Sequence, residues 1–200
     1  MFNARGLVFI IPGLGDDMHN IARFIETKHI KTEVFIVGWR VSTDNPNLYY
    51  ISRINALIKL VDESYIEGYK VILIGASAGG SFVVNVCNER PDKISLVINL
   101  SGRLTQINGP TLVGIDKYRI TEPVFMESIT RSERIVSSPS QTLKDKFLAF
   151  VPLWDELVPI RSMQFQGARV KRIWFIEHII NIALAFTVYR KSLLKAILLS

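Results

Sequence analysis

The chain has 200 residues, of which 48% are hydrophobic, and this is enough apolar material for one domain with a single core. No uncharged apolar stretch reaches the roughly 18 residues of a membrane-spanning helix, so no integral membrane association is expected. The formal net charge at pH 7 is +6, but no nucleic-acid-binding motif accompanies the dispersed Lys and Arg residues, and we expect no nucleic-acid partner.

The cysteine content indicates the compartment. The single Cys87 excludes an internal disulfide and suits a reducing cytoplasm, which is the expected location. The start of the sequence leads directly into a strand-like run, without the separable apolar segment of a signal peptide. Peripheral contact with an acidic membrane, through the apolar and basic C-terminal helix, stays open. The oligomeric state is not predicted.

Strand-like and helix-like segments alternate, which predicts an α/β fold with a mostly parallel sheet of about six strands and helices on both faces. The predicted strands are Leu7–Ile11, Val34–Val37, Val71–Ile74, Ile94–Leu100, Phe147–Val151 and Val170–Ile176. The predicted helices are Met18–Thr27, Leu48–Ile66, Gly80–Glu89, Ile160–Gln166 and Ile179–Leu198. We expect residues 1–200 to form a single domain.

The connection between the fourth and fifth predicted strands is long and polar. Residues 101–145 contain Gly109, Pro110 and Pro139, with a short helix expected around Glu122–Arg134. A connection of this length inside a compact domain is usually functional or mobile. The alternative is a poorly ordered surface loop.

The pattern G-x-S-x-G occurs at Gly75-Ala76-Ser77-Ala78-Gly79, between an apolar strand and a helix. A sharp turn at this place lifts a serine hydroxyl clear of the backbone, and glycines avoid the crowding that the turn creates. The alternative is a glycine-rich turn that only packs a helix against a strand.

A nucleophilic serine needs a base, and the base needs an orienting group. The chain has only three histidines, and His178 follows the sixth predicted strand, while Asp155 follows the fifth. Ser77, Asp155 and His178 therefore come after the carboxyl ends of parallel strands, where sites assemble in open α/β sheets. Glu156 is the alternative acid if the turn is read one residue out.

With this order of residues the chain resembles the α/β-hydrolase superfamily, as a small serine esterase-like member. Asp155-Glu156-Leu157-Val158-Pro159 matches the D-x-x-V-P context of the family's acid. Ile10-Ile11-Pro12-Gly13-Leu14-Gly15-Asp16 resembles the oxyanion loop after the first core strand. One departure is that Ile176-Glu177 precedes the histidine, where the family commonly has glycines.

The resemblance implies a serine hydrolase that cleaves a carboxylic ester or thioester through an acyl-enzyme, with Ser77 as nucleophile, His178 as base and Asp155 as acid. It places the oxyanion-stabilising backbone N–H groups at Leu14 and Ala78 and a lid-like insertion at about 101–145. It implies a small-molecule substrate, no cofactor and no metal. The alternative is a non-catalytic binding or scaffold protein on the same fold.

Candidate residues of the substrate pocket come from the segments next to these positions. They are Gly13, Arg103, Phe125, Met126 and Ile129. Gly13 lets the loop approach closely, and Phe125, Met126 and Ile129 could share one helix face. Arg103 could meet an anionic group of the substrate; the alternatives are that it points to solvent or pairs with a carboxylate.

Overall fold

Strands and helices alternate along the chain, and the strands pair into one all-parallel sheet. The computed structural model describes residues 5–174 and 176–200. The strands are β1 Gly6–Ile11, β2 Ile30–Val34, β3 Lys70–Ala76, β4 Ile94–Leu100, β5 Phe147–Pro152 and β6 Arg169–Ile173. The helices are α1 His19–Ala22, α2 Pro46–Ile66, α3 Gly79–Glu89, α4 Ile115–Thr121, α5 Pro123–Ser137, α6 Gln141–Lys146, α7 His178–Phe186 and α8 Arg190–Leu199. Short 3₁₀ helices cover Arg23–Ile25 and Ile160–Met163.

Both faces of the sheet are covered, as the apolar strands require. Successive side chains of a strand point to opposite faces, so in β1 Phe9 belongs to one core cluster and Val8 and Ile10 to the other. Helices α2, α3 and α5 supply the first cluster. Helices α1, α7 and α8 supply the second. The prediction of a parallel sheet with helices on both faces is therefore confirmed.

The strand order β2-β1-β3-β4-β5-β6 contains one reversal of direction. The chain first moves from β1 outward to β2 and then returns to the other side of β1 to form β3. In open α/β sheets a crevice opens at such a point, outside the carboxyl ends of the strands. The loops after β1 and β3, which contain Gly13 and Ser77, lie on the two sides of this crevice.

The two edge strands differ from their predicted bounds. Strand β2 is Ile30–Val34, ahead of the predicted Val34–Val37, and its Lys31 and Glu33 form an ion pair at 2.8 Å. An edge strand needs less apolar cover than a central one, so it can contain polar residues. The search for continuous apolar runs therefore missed β2. At the other edge, β6 ends at Ile173 instead of continuing to Ile176. Phe175 of that prediction lies outside the described residues.

Three predicted helices are shorter or interrupted. The segments predicted at Met18–Thr27 and Ile160–Gln166 form only brief helical turns. The predicted Ile179–Leu198 is two helices, because α7 ends at Phe186 and the backbone of Thr187 leaves the helical region with φ −105° and ψ −80°. The hydroxyl of Tyr189, which lies in this break, accepts a hydrogen bond from the Trp174 backbone N–H at 3.1 Å.

The segment 101–145 contains three helices, α4, α5 and part of α6, instead of an irregular connection. Helix α5 begins one residue after the start of the helix expected around Glu122–Arg134 and continues past its end to Ser137. It packs against α3, where the Ser128 hydroxyl lies 2.6 Å from that of Ser81 and the Ser128 carbonyl accepts from the Asn85 side chain at 3.0 Å. A layer of the core thus comes from this segment.

Within the described residues, no helix has the length and apolar character needed to cross a membrane. Cys87 is buried in α3, and burial raises the pKa of its thiol to about 12. Cys87 therefore packs as a small core residue, because burial disfavours the reactive thiolate form.

Candidate active site

Ser77 lies in the two-residue turn between β3 and α3 and has a positive φ of 52°. Its backbone N–H donates to the carbonyl of Leu100 at 3.1 Å, and its own carbonyl accepts from the Gly80 N–H at 3.1 Å. A non-glycine residue in this left-handed region costs about 1–2 kcal/mol, and the surrounding structure must hold it there. The hydrogen bonds on both sides of the turn do so, and they fix the position of the hydroxyl.

Glycines surround Ser77 because the backbone is crowded. A Cβ at Gly75 would lie 2.3 Å from the carbonyl oxygen of Gly79, inside any acceptable contact distance. A Cβ at Gly13, in the loop after β1, would lie 2.8 Å from the Cβ of Ser77. The G-x-S-x-G spacing therefore has a steric origin in this fold.

Gly75→Ala is expected to destabilise the fold by about 1–3 kcal/mol or more, because the new methyl group meets backbone atoms that cannot move aside. Gly15→Ala is the matched control, since a Cβ there meets nothing within 4 Å. Urea denaturation of both variants measures the difference. Equal midpoints for Gly75→Ala and wild type would contradict the steric account.

Ser77, His178 and Asp155 form one continuous chain of hydrogen bonds. The Nε2 atom of His178 lies 2.9 Å from the Ser77 Oγ, and its Nδ1 atom lies 2.7 Å from Oδ2 of Asp155. Asp155 and His178 are almost fully buried, while Ser77 is half-buried. The hydroxyl at the accessible end is thus connected through the imidazole to a carboxylate that water does not reach.

Asp155 is oriented by its own turn. Its Oδ1 accepts the backbone N–H groups of Leu157 at 3.0 Å and Val158 at 2.8 Å, which leaves Oδ2 for the imidazole. Glu156, the alternative acid, does not contact the ring. Its carboxylate instead accepts the backbone N–H of His178 at 3.0 and 3.1 Å.

The position of His178 depends on Glu156 and Glu177, neither of which the sequence predicted to position this histidine. His178 is the first residue of α7, where backbone N–H groups have no helical partner. Glu156 accepts one of these N–H groups, and Glu177 accepts that of Ile180 at 2.6 Å as the helix N-cap. An acidic residue three positions before an unpaired helix N–H is a recognisable capping signal, whereas the contact of Glu156 is visible only in three dimensions.

Two hydrogen bonds hold the loop after β1 in place. The indole Nε1 of the fully buried Trp39 donates to the carbonyl of Pro12 at 3.1 Å, and the Asp16 N–H donates to the Gly13 carbonyl at 3.0 Å. Within the described residues, the backbone N–H groups of Leu14 and Ala78 donate to no protein atom. No sequence signal pointed to Trp39, which is 23 residues or more from the loop that it supports.

A pocket of about 510 Å³ opens next to Ser77 and His178. Four of the predicted site residues beyond the hydrogen-bonded chain line it: Gly13, Leu14, Arg103 and Phe125. Residues of α4 and α5 form one wall, so the segment 101–145 does border the pocket. This wall includes Lys117, Tyr118, Thr121, Glu122 and Phe125.

Met126 and Ile129 do not line the pocket, contrary to the prediction. Phe125 lies at its wall, with its ring 5.4 Å from Tyr118 and 5.8 Å from Trp39. Ile129 lies one turn further along α5, beside the contacts of Ser128 with α3, and it is fully buried in the core. Of the three residues, only Phe125 therefore borders the pocket, while all three are buried in the core.

Ile129→Ala is therefore expected to lower the free energy of unfolding by about 2–5 kcal/mol and to leave substrate preference unchanged. Phe125→Ala should change substrate preference, because it removes part of the pocket wall. Chemical denaturation and an ester chain-length series on both variants separate the two effects. A shifted preference in Ile129→Ala with unchanged stability would contradict this assignment.

The environment of Arg103 fits neither alternative to substrate contact, which were exposure to solvent and pairing with a carboxylate. It does not point to solvent, because only 1% of its surface is exposed. It is also not paired with a carboxylate of any described residue.

Within residues 5–174 and 176–200, no three His, Cys, Asp or Glu side chains are grouped as the ligands of a metal ion would be.

Comparisons with known proteins identify the fold. No protein-family model matches the sequence, and no curated protein sequence matches it. Solved structures match over nearly the whole chain. A lipase-esterase related protein from Clostridium acetobutylicum is 16% identical with a TM-score of 0.61, covering 97% of this chain and 93% of its own. A monoacylglycerol lipase from Paleococcus ferrophilus is 13% identical with a TM-score of 0.63, and the match covers 98% of this chain and 96% of the lipase.

The 2-hydroxy-6-oxo-6-phenylhexa-2,4-dienoate hydrolase from Rhodococcus sp. strain RHA1 is 14% identical with a TM-score of 0.67, covering 96% of this chain and 90% of its own. Structural matches at identities this low show a shared fold only, so the chemistry must be argued from the residues of the site. The strand order, the position of the serine turn and these matches agree with one another. The chain has the α/β-hydrolase fold.

Proposed function

We propose that this protein is a serine hydrolase that cleaves a carboxylic ester or thioester through an acyl-enzyme intermediate. The observation that carries the proposal is the continuous hydrogen-bonded chain from Ser77 through His178 to Asp155, which opens on a pocket. A serine, a base and an orienting acid at these distances are the components of nucleophilic catalysis.

In the acylation step the Ser77 Oγ attacks the carbonyl carbon of the substrate, and its proton passes to Nε2 of His178. Asp155 holds the Nδ1–H tautomer and stabilises the imidazolium that forms. When the tetrahedral intermediate collapses, the bond to the leaving alcohol or thiol breaks, and Nε2 returns the proton to that leaving group. The acyl group is then an ester of Ser77.

Deacylation repeats the sequence with water. His178 removes a proton from water, the resulting hydroxide attacks the acyl carbon, and collapse expels the Ser77 oxygen. The proton on Nε2 returns to that oxygen as the carboxylic acid leaves. The backbone N–H groups of Leu14 and Ala78 stabilise the oxyanion in both halves of the reaction. Their lack of a partner among the described residues supports this assignment.

The composition supports a proposal for the cellular setting. With a single cysteine, buried in α3, the chain contains nothing that requires an oxidising compartment, and we place the activity in the cytoplasm. No metal or organic cofactor takes part in the proposed steps.

Hydrolysis of p-nitrophenyl esters of increasing acyl length by the purified protein tests the proposal. We expect steady-state turnover with a preference set by the pocket of about 510 Å³. The absence of turnover on every ester and thioester tried, with ligand binding retained, would favour the binding-protein alternative.

A further inference from the structure

The pocket next to Ser77 contains a buried cation that forms no ion pair with any described residue. Arg103 lines this pocket, and its side chain is among the largest in the protein that are fully buried. Its Nε donates to the carbonyl of Thr105 at 3.2 Å and its Nη2 to the carbonyl of Ile107 at 2.8 Å. Its Nη1 is buried and makes no hydrogen bond to any described residue.

The hydrogen-bonding capacity of Arg103 is only partly used. A guanidinium has five N–H groups, and two are occupied by the carbonyls of Thr105 and Ile107. Both N–H groups of Nη1 and one of Nη2 remain. Two N–H groups on one edge of a guanidinium can bind both oxygens of a carboxylate at once.

The nearby carboxylates of Glu133 and Glu122 form their hydrogen bonds with residues other than Arg103. Glu133 accepts the backbone N–H of Gln106 at 3.1 Å and its side-chain amide at 2.8 Å. Glu122, which also lines the pocket, accepts at Oε1 from Nε of Arg40 at 3.2 Å, while its buried Oε2 has no hydrogen-bond partner among the described residues. Arg103 is absent from every ion pair of the described residues, so no carboxylate of theirs lies within 4 Å of it.

A buried, unpaired charge is expensive, and a protein retains one when a ligand completes it. Burial lowers the pKa of the Arg103 guanidinium from its ordinary value. Because arginine nevertheless remains protonated in proteins, the pocket wall carries a full positive charge.

The backbone around Arg103 is fixed, as a binding group requires. Asn99 at the end of β4 donates to the carbonyls of Gly102 at 2.9 Å and Met163 at 2.8 Å. The Leu104 N–H donates to the Ser162 carbonyl at 2.7 Å. The guanidinium is therefore presented by a preorganised loop and loses little freedom when a ligand binds.

From these contacts we propose that Arg103 binds a carboxylate of the substrate, so that the enzyme acts on esters or thioesters that carry a second, anionic carboxyl group. The inference rests on the proposed hydrolase function and narrows it to a substrate class. A monoanionic carboxylate matches this buried cation, which has no ion pair with a described residue and whose Nη1 has no hydrogen-bond partner among them.

Paired substrates test this inference. The half-esters p-nitrophenyl hydrogen succinate, glutarate and adipate are compared with p-nitrophenyl butyrate, valerate and hexanoate, in which a methyl group replaces the carboxylate. A second pair, 4-acetoxybenzoate and phenyl acetate, places the carboxylate on the leaving group. We expect at least one pair to show a higher kcat/KM for the anionic member.

Arg103→Met should lower the anionic-to-neutral ratio of kcat/KM by roughly 10²-fold, because the carboxylate loses its partner inside the pocket. The ratio is measured on one preparation, so a reduced folded fraction cancels. Arg103→Lys keeps the charge without the planar fork and should retain part of the preference. Arg90→Met removes the same charge from an arginine that pairs with Asp62, outside the pocket lining, and should leave the ratio unchanged.

A binding measurement separates this inference from the catalytic proposal. Calorimetric titration of Ser77→Ala with p-nitrophenyl hydrogen glutarate and p-nitrophenyl valerate needs no turnover. Tighter binding of the anionic ester to Ser77→Ala, with the difference lost in Ser77→Ala/Arg103→Met, supports the carboxylate site. This result would stand even if the wild type hydrolysed nothing. In that case only the catalytic proposal would fail. Turnover of neutral esters with no anionic preference in any pair would overturn the Arg103 inference and leave the hydrolase proposal standing.

Discussion

Ser77→Ala is expected to fold as the wild type does and to lose about 10⁴-fold or more in kcat for ester hydrolysis. Among the described residues, the substitution removes the only hydroxyl within hydrogen-bond distance of Nε2 of His178, at 2.9 Å. The backbone bonds that hold the turn, from the Ser77 N–H and to its carbonyl, do not involve the side chain. Initial rates on a p-nitrophenyl ester, with a thermal melt of the same preparation, measure both properties.

Ser101→Ala is the matched control for this experiment. Ser101 also has a positive φ, of 49°, and follows the neighbouring strand β4, but its buried hydroxyl contacts no described hydrogen-bonding partner. We expect its kcat to stay close to that of the wild type. A clean preparation of Ser77→Ala with near-wild-type turnover would remove Ser77 from the mechanism.

Asp155→Asn is expected to cost on the order of 10⁴-fold in kcat with little change in stability. The amide oxygen can still accept the N–H groups of Leu157 and Val158, but the NH₂ group then faces Nδ1 of His178. An NH₂ group at this place favours the tautomer with the proton on Nε2, which cannot take the proton of Ser77. Steady-state kinetics and a denaturation curve measure the two effects.

Glu156→Gln provides the comparison, since a glutamine oxygen can still accept the backbone N–H of His178. One weakened hydrogen bond contributes about 1 kcal/mol, so the loss should stay within about tenfold. If Asp155→Asn were nearly silent and Glu156→Gln severe, the role of the acid would move to Glu156.

The central strands and the order of the site residues could be predicted because they depend on local patterns. Strands β1, β3 and β4 are continuous apolar runs, and buried parallel strands have little alternative to such runs. The spacing around Ser77 is a steric requirement of one turn, so it also leaves a local trace. The acid and the histidine then follow from their places after the next apolar runs.

What the sequence could not supply depends on contacts between distant segments. The polar strand β2 is stabilised by pairing with β1, and its register is not a property of residues 30–34 alone. Phe125 and Ile129 are both buried in the core, and only the packing of α5 shows that Phe125 also lines the pocket whereas Ile129 does not. Arg103 looks like a surface arginine until its burial is known.

The most direct test of the account is covalent labelling with a fluorophosphonate, followed by mass spectrometry of the labelled peptides. The hydrogen-bonded chain from Ser77 to Asp155 predicts one adduct per protein, on Ser77, formed rapidly by the wild type and not by Ser77→Ala or by the urea-unfolded protein. A folded wild-type protein that takes no label, or takes it on another residue, would contradict the assignment of Ser77 as an activated nucleophile.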